Sequence, residues 1–277
     1  MMIRLCPPLA GVARSAGGGG VSYDEGRRLA GKRKTMRNLR TAFGLLTTLP
    51  FGMPEDWLPG DSGRAGIWYP LVGVVIGGLT WLSWLTLTLY FPPMMVGVLT
   101  LLVWVVLTGG LHLDGLADCC DGMLASATPE RRLEIMKDPC LGTFGGVGLF
   151  LVLLSKAAAL SSLAPSAGLG IVLAATISRW FILPASLLPL ARLGGMGADF
   201  SSGLWRGAIF TTAILPLGLA FLLGTQGFFA LLAALLAAAA VLGLAYTRIN
   251  GVTGDVFGML VEVTETSVLL SFTLGVK

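Results

Sequence analysis

The sequence predicts an all-α, polytopic integral membrane helical bundle of about seven spanning helices plus a short N-terminal interfacial or re-entrant helix. Three observations predict it. Apolar residues make up 55% of the 277 and charged residues 12%, against roughly 25% charged in soluble domains. Two runs, Ala65 to Leu113 and Gly207 to Thr247, contain no Asp, Glu, Lys or Arg, and each is long enough for two spans of roughly 20 residues. Arg4, Arg14, Arg27, Arg28, Lys32, Arg33, Lys34, Arg37 and Arg40 crowd the N-terminus, opposed there only by Asp24 and Glu25.

Residues 1–35 are rich in Gly and Arg, including Gly17 to Gly20, and predict a disordered basic extension that lacks the apolar surface to order itself. Met36 then reads as a natural beginning, and residues 36–277 form a single membrane-embedded domain. Met1 to Ala10 is too short and too proline-broken for a secretory signal. Leu39 to Phe51 is apolar but ends at Pro50 and Pro54 before it could span, which makes it interfacial or re-entrant. The first charge-free run breaks at Pro92-Pro93. Two spans follow, Phe144 to Leu163 and Gly168 to Ala191, the latter interrupted by Pro184 and Pro189. The second run divides at Gly224-Thr225-Gln226-Gly227, and Val256 to Gly275 supplies the last span.

The basic N-terminus argues for a cytoplasmic start. Span parity then puts Pro92-Pro93, Ala164 to Ala167 and Gly224 to Gly227 outside, all uncharged. Asp114 to Thr143, Arg192 to Arg206 and Arg248 to Asp255 fall inside, where the remaining loop charges lie. The expected arrangement is therefore multi-pass, in contact with lipid, with the charged segments facing the cytoplasm. Nucleic acid is not an expected partner, because no aromatic interleaving accompanies the basic run. Cys6, Cys119, Cys120 and Cys140 form no C-x-x-C pair, and a disulfide is not expected on the reducing face.

The chemistry concentrates in three segments. In Leu111-His112-Leu113-Asp114-Gly115-Leu116-Ala117-Asp118-Cys119-Cys120-Asp121-Gly122, the aspartates stand at i, i+4 and i+7, one helical face. Like charges so placed repel one another without a cation, and hard oxygen donors favour Mg2+. Next, Thr128-Pro129 reads as an N-cap and first helical residue for a short helix that stops before Pro139. Its stripe of Glu130, Glu134 and Asp138 is either a solvated face or part of a site. In the third segment, Asp255, Glu262 and Glu265 share a face that runs into the bilayer. They either line a cavity or pair with the buried cations Lys156 and Arg179. His112, the single histidine, is either packed or a substrate contact, with general-base chemistry one option. Metal, carboxylates and basic residues at a membrane surface together suggest phosphoryl transfer.

Thr108-Gly109-Gly110-Leu111-His112-Leu113-Asp114-Gly115-Leu116-Ala117-Asp118, Asp121-Gly122, Arg132-Leu133-Glu134-Ile135-Met136-Lys137-Asp138 and Gly142-Thr143-Phe144-Gly145 closely resemble the cobalamin synthase family, the adenosylcobinamide-GDP ribazoletransferases. Thr47 to Pro50, Tyr69 to Gly73, and Gly251 to Asp255 with Glu262 and Glu265 extend the resemblance over nearly everything after Met36. It implies a Mg2+-dependent transferase that joins adenosylcobinamide-GDP to alpha-ribazole, or to its 5'-phosphate, and releases GMP late in vitamin B12 assembly. On that reading Asp114, Asp118, Asp121 and Asp138 hold the metal against the diphosphate. Lys137 and Arg132 stabilise the leaving GMP, with Arg131 as an alternative phosphate contact because Cys140 replaces a basic residue. Asp255 positions or deprotonates the ribazole hydroxyl, with Asp121 and His112 as further catalytic candidates. Thr253, Lys156, Arg179, Glu262 and Glu265 are assigned to substrate binding. The resemblance leaves room for a homo-oligomer or for association with other late cobalamin-pathway enzymes.

Two rivals are weighed. Asp118-x-x-Asp121-Gly122-x-x-Ala125 begins like a CDP-alcohol phosphotransferase motif, but Ser126 stands where that motif needs Arg. A cation transporter would spread polar residues over both sides of the membrane, whereas these gather on one.

Overall fold

The computed structural model describes residues 23–274, and contact density separates Met1–Met36 from Arg37–Lys277 as two units. Among the described residues the secondary structure is helical, apart from one isolated parallel bridge, Leu190 with Val252. The helices in order are α1 (Tyr23–Leu46), α2 (Asp61–Ala65), α3 (Tyr69–Thr88), α4 (Pro93–Thr108), α5 (Leu111–Leu124), α6 (Pro129–Ile135) and α7 (Thr143–Ser162). They continue as α8 (Leu169–Ala185), α9 (Gly195–Gly203), α10 (Gly207–Thr212), α11 (Ile214–Leu222), α12 (Gly224–Ile249) and α13 (Gly254–Ser271).

Helix α1 precedes the first apolar span. It begins at Tyr23, inside the segment expected to be disordered through residue 35; residues 1–22 of that extension lie outside the described residues. Arg27 to Arg40 contains no proline, and its Arg, Leu, Ala and Lys are good helix formers. After α1 the chain reverses, with Phe51 stacked on Phe43 at 4.2 Å between ring centroids. Thr48 then satisfies the open end of α4, its N–H donating to the Leu107 carbonyl at 2.9 Å and its hydroxyl to that of Val106 at 2.8 Å.

Among the described residues, four helical stretches are long and apolar enough to cross a membrane: Asp61–Thr88, Thr143–Ser162, Pro165–Ala185 and Gly224–Ile249. Two bent pairs raise the number to as many as six, Pro93–Thr108 with Leu111–Leu124 at 95° and Gly195–Gly203 with Gly207–Leu222 at 91°. Helix α13 is not among them, since it carries Asp255, Glu262 and Glu265. The expected seven spans also counted α13, whose acids are accounted for below. Helices α3, α4, α7, α11 and α12 turn large apolar side chains outward, among them Leu82, Leu102, Phe150, Phe221 and Leu236. Outward apolar faces on several apolar helices make this a multi-pass membrane protein.

Helix α8 is the central post. It is buried on nearly every side, as an all-round apolar helix should be, and packs against α3 and α13. Helix α13 in turn contacts α5, α7 and α12. The expected span from Gly168 to Ala191 stops at Ala185, because Pro189 to Ala191 leaves the helix to pair with Val252.

Candidate active site

The aspartate helix is a separate element. Gly109 and Gly110 both take left-handed backbone conformations, at φ 64° and 72°, which only glycine adopts without penalty. They turn the chain by 95° between α4 and α5. Helix α5 then lies against α13 through two glycines: a β-carbon on Gly115 would press on the Asp255 backbone, and one on Gly258 on that of His112. This close approach brings the first and third chemistry-bearing segments together.

Between them is a cavity of about 280 Å³ whose lining includes His112, Asp114, Ile182, Arg192 and Asp255. Thr253 is the N-cap of α13, its hydroxyl accepting from Val256 N–H at 3.3 Å and donating to Asp255 Oδ2 at 3.2 Å. Arg192 Nη2 donates to the same oxygen at 3.1 Å. Both contacts fall on Oδ2, so Oδ1 takes neither. Arg192 is held there by the bridge at Leu190, where Val252 N–H donates to Pro189 O at 2.9 Å and Ala191 N–H to Val252 O at 3.0 Å.

Asp114 is exposed and Asp118 half-buried, and among the described residues neither carboxylate takes a hydrogen bond or ion pair. Asp118 lies in the field of Asp114, Asp255 and Asp121, with Arg192 the cation that offsets them. Asp121 behaves differently. Its Oδ2 accepts from Gly142 N–H and its Oδ1 from Gly145 N–H, each at 2.8 Å, which caps the start of α7 from a neighbouring helix. Asp138 closes its own exposed turn, accepting from Cys140 N–H at 3.0 Å, and its carboxylate pushes the Cys140 thiol up. Among the described residues no three His, Cys, Asp or Glu side chains already converge as a metal site. The expected quartet is thus divided: Asp114 and Asp118 are available beside Asp255, whereas Asp121 and Asp138 bind backbone amides.

The basic candidates divide similarly. Thr128 accepts from Arg131 N–H at 3.4 Å, which starts α6 where the sequence places it. Arg131 pairs with Glu134 at 2.7 Å on the surface, and Lys137 is exposed. Arg132 is buried, with Nε donating to Ala125 O at 3.2 Å and Nη1 to Arg248 O at 3.0 Å. It ties α6 to the open carbonyl end of α12.

Lys156, Arg179, Glu262 and Glu265 meet one another and do not line the cavity. Lys156 Nζ lies 2.5 Å from Glu262 Oε2 and also contacts Glu265, whose other oxygen faces Arg179. All four are buried, two cations against two anions, because an unpaired charge at that depth is prohibitive. Of the two roles open to the Glu262 and Glu265 face, pairing is the one observed. His112 is buried at the cavity wall, and its Nδ1 has no partner among the described residues.

Sequence reasoning missed the far wall. Asp61 accepts from Arg37 and Arg64, each at 2.6 Å, while Asp199 on α9 accepts from Gly60 N–H at 2.6 Å and from the Ser62 hydroxyl. These contacts seat α2 against α9, and Tyr69, Phe200 and Phe257 line the cavity. Arg192 was also missed, although an arginine ending an apolar run on the same side as Asp255 was a usable signal. The aromatics gave none, being ordinary members of apolar stretches.

The family described as Cobalamin-5-phosphate synthase matches residues 38–273. The chain belongs to that family. Membership covers every cavity-lining residue, from Leu46 to Gly258. A Pseudomonas paraeruginosa protein named adenosylcobinamide-GDP ribazoletransferase is 38% identical over 245 residues, 87% of this chain and 100% of the relative. Proteins of the same name from Desulfitobacterium hafniense and Deinococcus radiodurans are 36% identical over 252 residues and 38% over 250. The first alignment covers 85% of this chain and 96% of the relative, the second 86% of each. No solved structure matches the chain.

Proposed function

We propose that this chain is an adenosylcobinamide-GDP ribazoletransferase that joins adenosylcobinamide-GDP to alpha-ribazole or its 5'-phosphate and releases GMP. The observation that carries the reading is the meeting of the Asp114–Asp118 segment and the Asp255 segment at one cavity, within a family match that includes both. The acceptor's ribose 3'-hydroxyl attacks the phosphorus bonded to the cobinamide oxygen. The new P–O bond forms as the bond to the bridging oxygen breaks, and that oxygen leaves with GMP. Asp255 accepts the hydroxyl proton through Oδ1, while Thr253 and Arg192 hold Oδ2 and fix the carboxylate's orientation.

The donor set fits magnesium. Asp114 and Asp118 offer unpaired carboxylates, and the surrounding acidic charge is offset by one guanidinium. An anionic diphosphate would be repelled from such a surface unless a cation accompanied it. Asp114 and Asp118 would hold that ion, with water and substrate oxygens completing its shell. Bound there, it would neutralise the phosphate oxygens as charge passes to the leaving group. The basic N-terminal segment supports a site facing the cytoplasm of a bacterial or archaeal inner membrane.

The test is product formation by the protein purified into lipid nanodiscs, supplied with the GDP-activated corrinoid, alpha-ribazole and magnesium. Corrinoid product and GMP should appear in equal amounts. Asp118→Asn should lower turnover about 100-fold or more while leaving the melting temperature near that of the wild type. A fully active Asp118→Asn protein, or a wild type that releases no GMP, would defeat the reading.

A further inference from the structure

The donor and acceptor in this reaction differ greatly in size, and the cavity discriminates between them. At about 280 Å³ it sits at the small end of the ~300–1,000 Å³ range of ligand pockets. That volume is on the scale of a single nucleoside and well below that of a corrin ring carrying a nucleoside diphosphate. The walls agree with the size. Phe200 lies 5.2 Å from Tyr69 and 6.1 Å from Phe257 between ring centroids, the first pair tilted at 39° and the second near edge-on at 65°. Ile182 adds to this apolar surface, whereas Asp114, Asp255 and His112 supply polar groups.

We propose that this cavity is the acceptor subsite. It takes a flat aromatic nucleoside, with the base against Phe200 and Phe257 and the ribose hydroxyls toward Asp255. The assignment rests on the transferase reading above. Phe200 and Phe257 are packed against one another and present only a small part of their rings to the cavity, 3% and 6% exposed, enough for a contact of geometric selectivity at the edge of a heteroaromatic base, and a carboxylate suits a hydroxyl donor. The corrinoid then stays outside, and only its diphosphate reaches Asp114 and Asp118. Phe200 and Phe257 determine which lower base is accepted. Phe200 owes its position to α9, which Asp199 fastens to the Gly60–Ser62 backbone.

Steady-state kinetics of the wild type, Phe200→Leu and Phe257→Leu in nanodiscs tests this, with each substrate varied in turn. Leucine keeps the sites apolar, and two variants guard against one that fails to fold. The KM for alpha-ribazole should rise about tenfold in at least one folded variant, the loss expected on removing an aromatic partner, while the KM for the donor stays within about twofold. A rise in donor KM alone, or no change in either, overturns the assignment. If the wild type makes no product, the transferase reading falls separately, and equilibrium binding of alpha-ribazole alone still decides. Binding weakened by Phe200→Leu supports the subsite; equal binding, or none, overturns it.

Discussion

Replacing Lys156 with Met tests the buried charge cluster. Lys156 is the sole ion-pair partner of Glu262 among the described residues, whereas Glu265 is shared between Lys156 and Arg179. Lys156→Met therefore leaves two buried carboxylates against one guanidinium. Removing one partner of a buried pair destabilises by about 3–5 kcal/mol. At roughly 2–4 °C per kcal/mol for a unit of this size, the melting temperature should fall by about 6–20 °C. The pattern of ion pairs also supplies a rescue. Lys156→Met with Glu262→Gln removes the pair together and leaves Arg179 with Glu265, so most of the lost stability should return. Thermal unfolding in one detergent, read by circular dichroism for the wild type, both single variants and the double, closes the cycle. A single variant within about 1 kcal/mol of the wild type, or a double no better than Lys156→Met, refutes the cluster as drawn. Because these residues do not line the cavity, the double variant should keep its KM values; a rise at unchanged stability would return the cluster to substrate binding.

Two further predictions concern the turn between α6 and α7. Gly145→Ala places a methyl against the Asp121 carboxylate and should destabilise the fold by about 1–3 kcal/mol, despite alanine's higher helix propensity; a neutral or stabilised variant removes Asp121 from the cap. Asp138→Asn should speed maleimide labelling of Cys140, followed by peptide mass spectrometry. The neighbouring carboxylate pushes that thiol up, so its removal gives more thiolate at a given pH and moves the labelling curve to lower pH; an unmoved curve contradicts this.

The apolar helices were legible because crossing a membrane demands long charge-free runs, and Pro92-Pro93 and Gly224 mark real turns. The short helix α6 was legible from local capping chemistry, Thr128 and Pro129. The 95° bend before α5 was not, since Gly109-Gly110 stands within a stretch that also reads as one continuous helix. One-dimensional spacing put Asp114, Asp118 and Asp121 on a common face, but could not show that α7 would present two amides to the last of them. The aromatic wall and Arg192 depend on how α9 and the Leu190 bridge fold back, a long-range arrangement with no local signature. The transferase chemistry was legible chiefly through the family resemblance.

The acids of α13 show how one face can serve two purposes. Asp255 and Glu262 are seven residues apart, which is two turns and about 10 Å of rise, so they point the same way at different depths. At the helix start, the cavity offers Asp255 a hydroxyl, a guanidinium and room for a ligand. Deeper down only internal cations can compensate a charge, and Lys156 on α7 and Arg179 on α8 do so. Those deep pairs fix the rotation and height of α13 against two neighbouring helices. Gly258 then presses on α5, and Asp255 faces the aspartate helix. The cluster acts on the chemistry through geometry alone. Retaining Arg179 with Glu265 should therefore suffice to keep Asp255 in place when Lys156 and Glu262 are removed together.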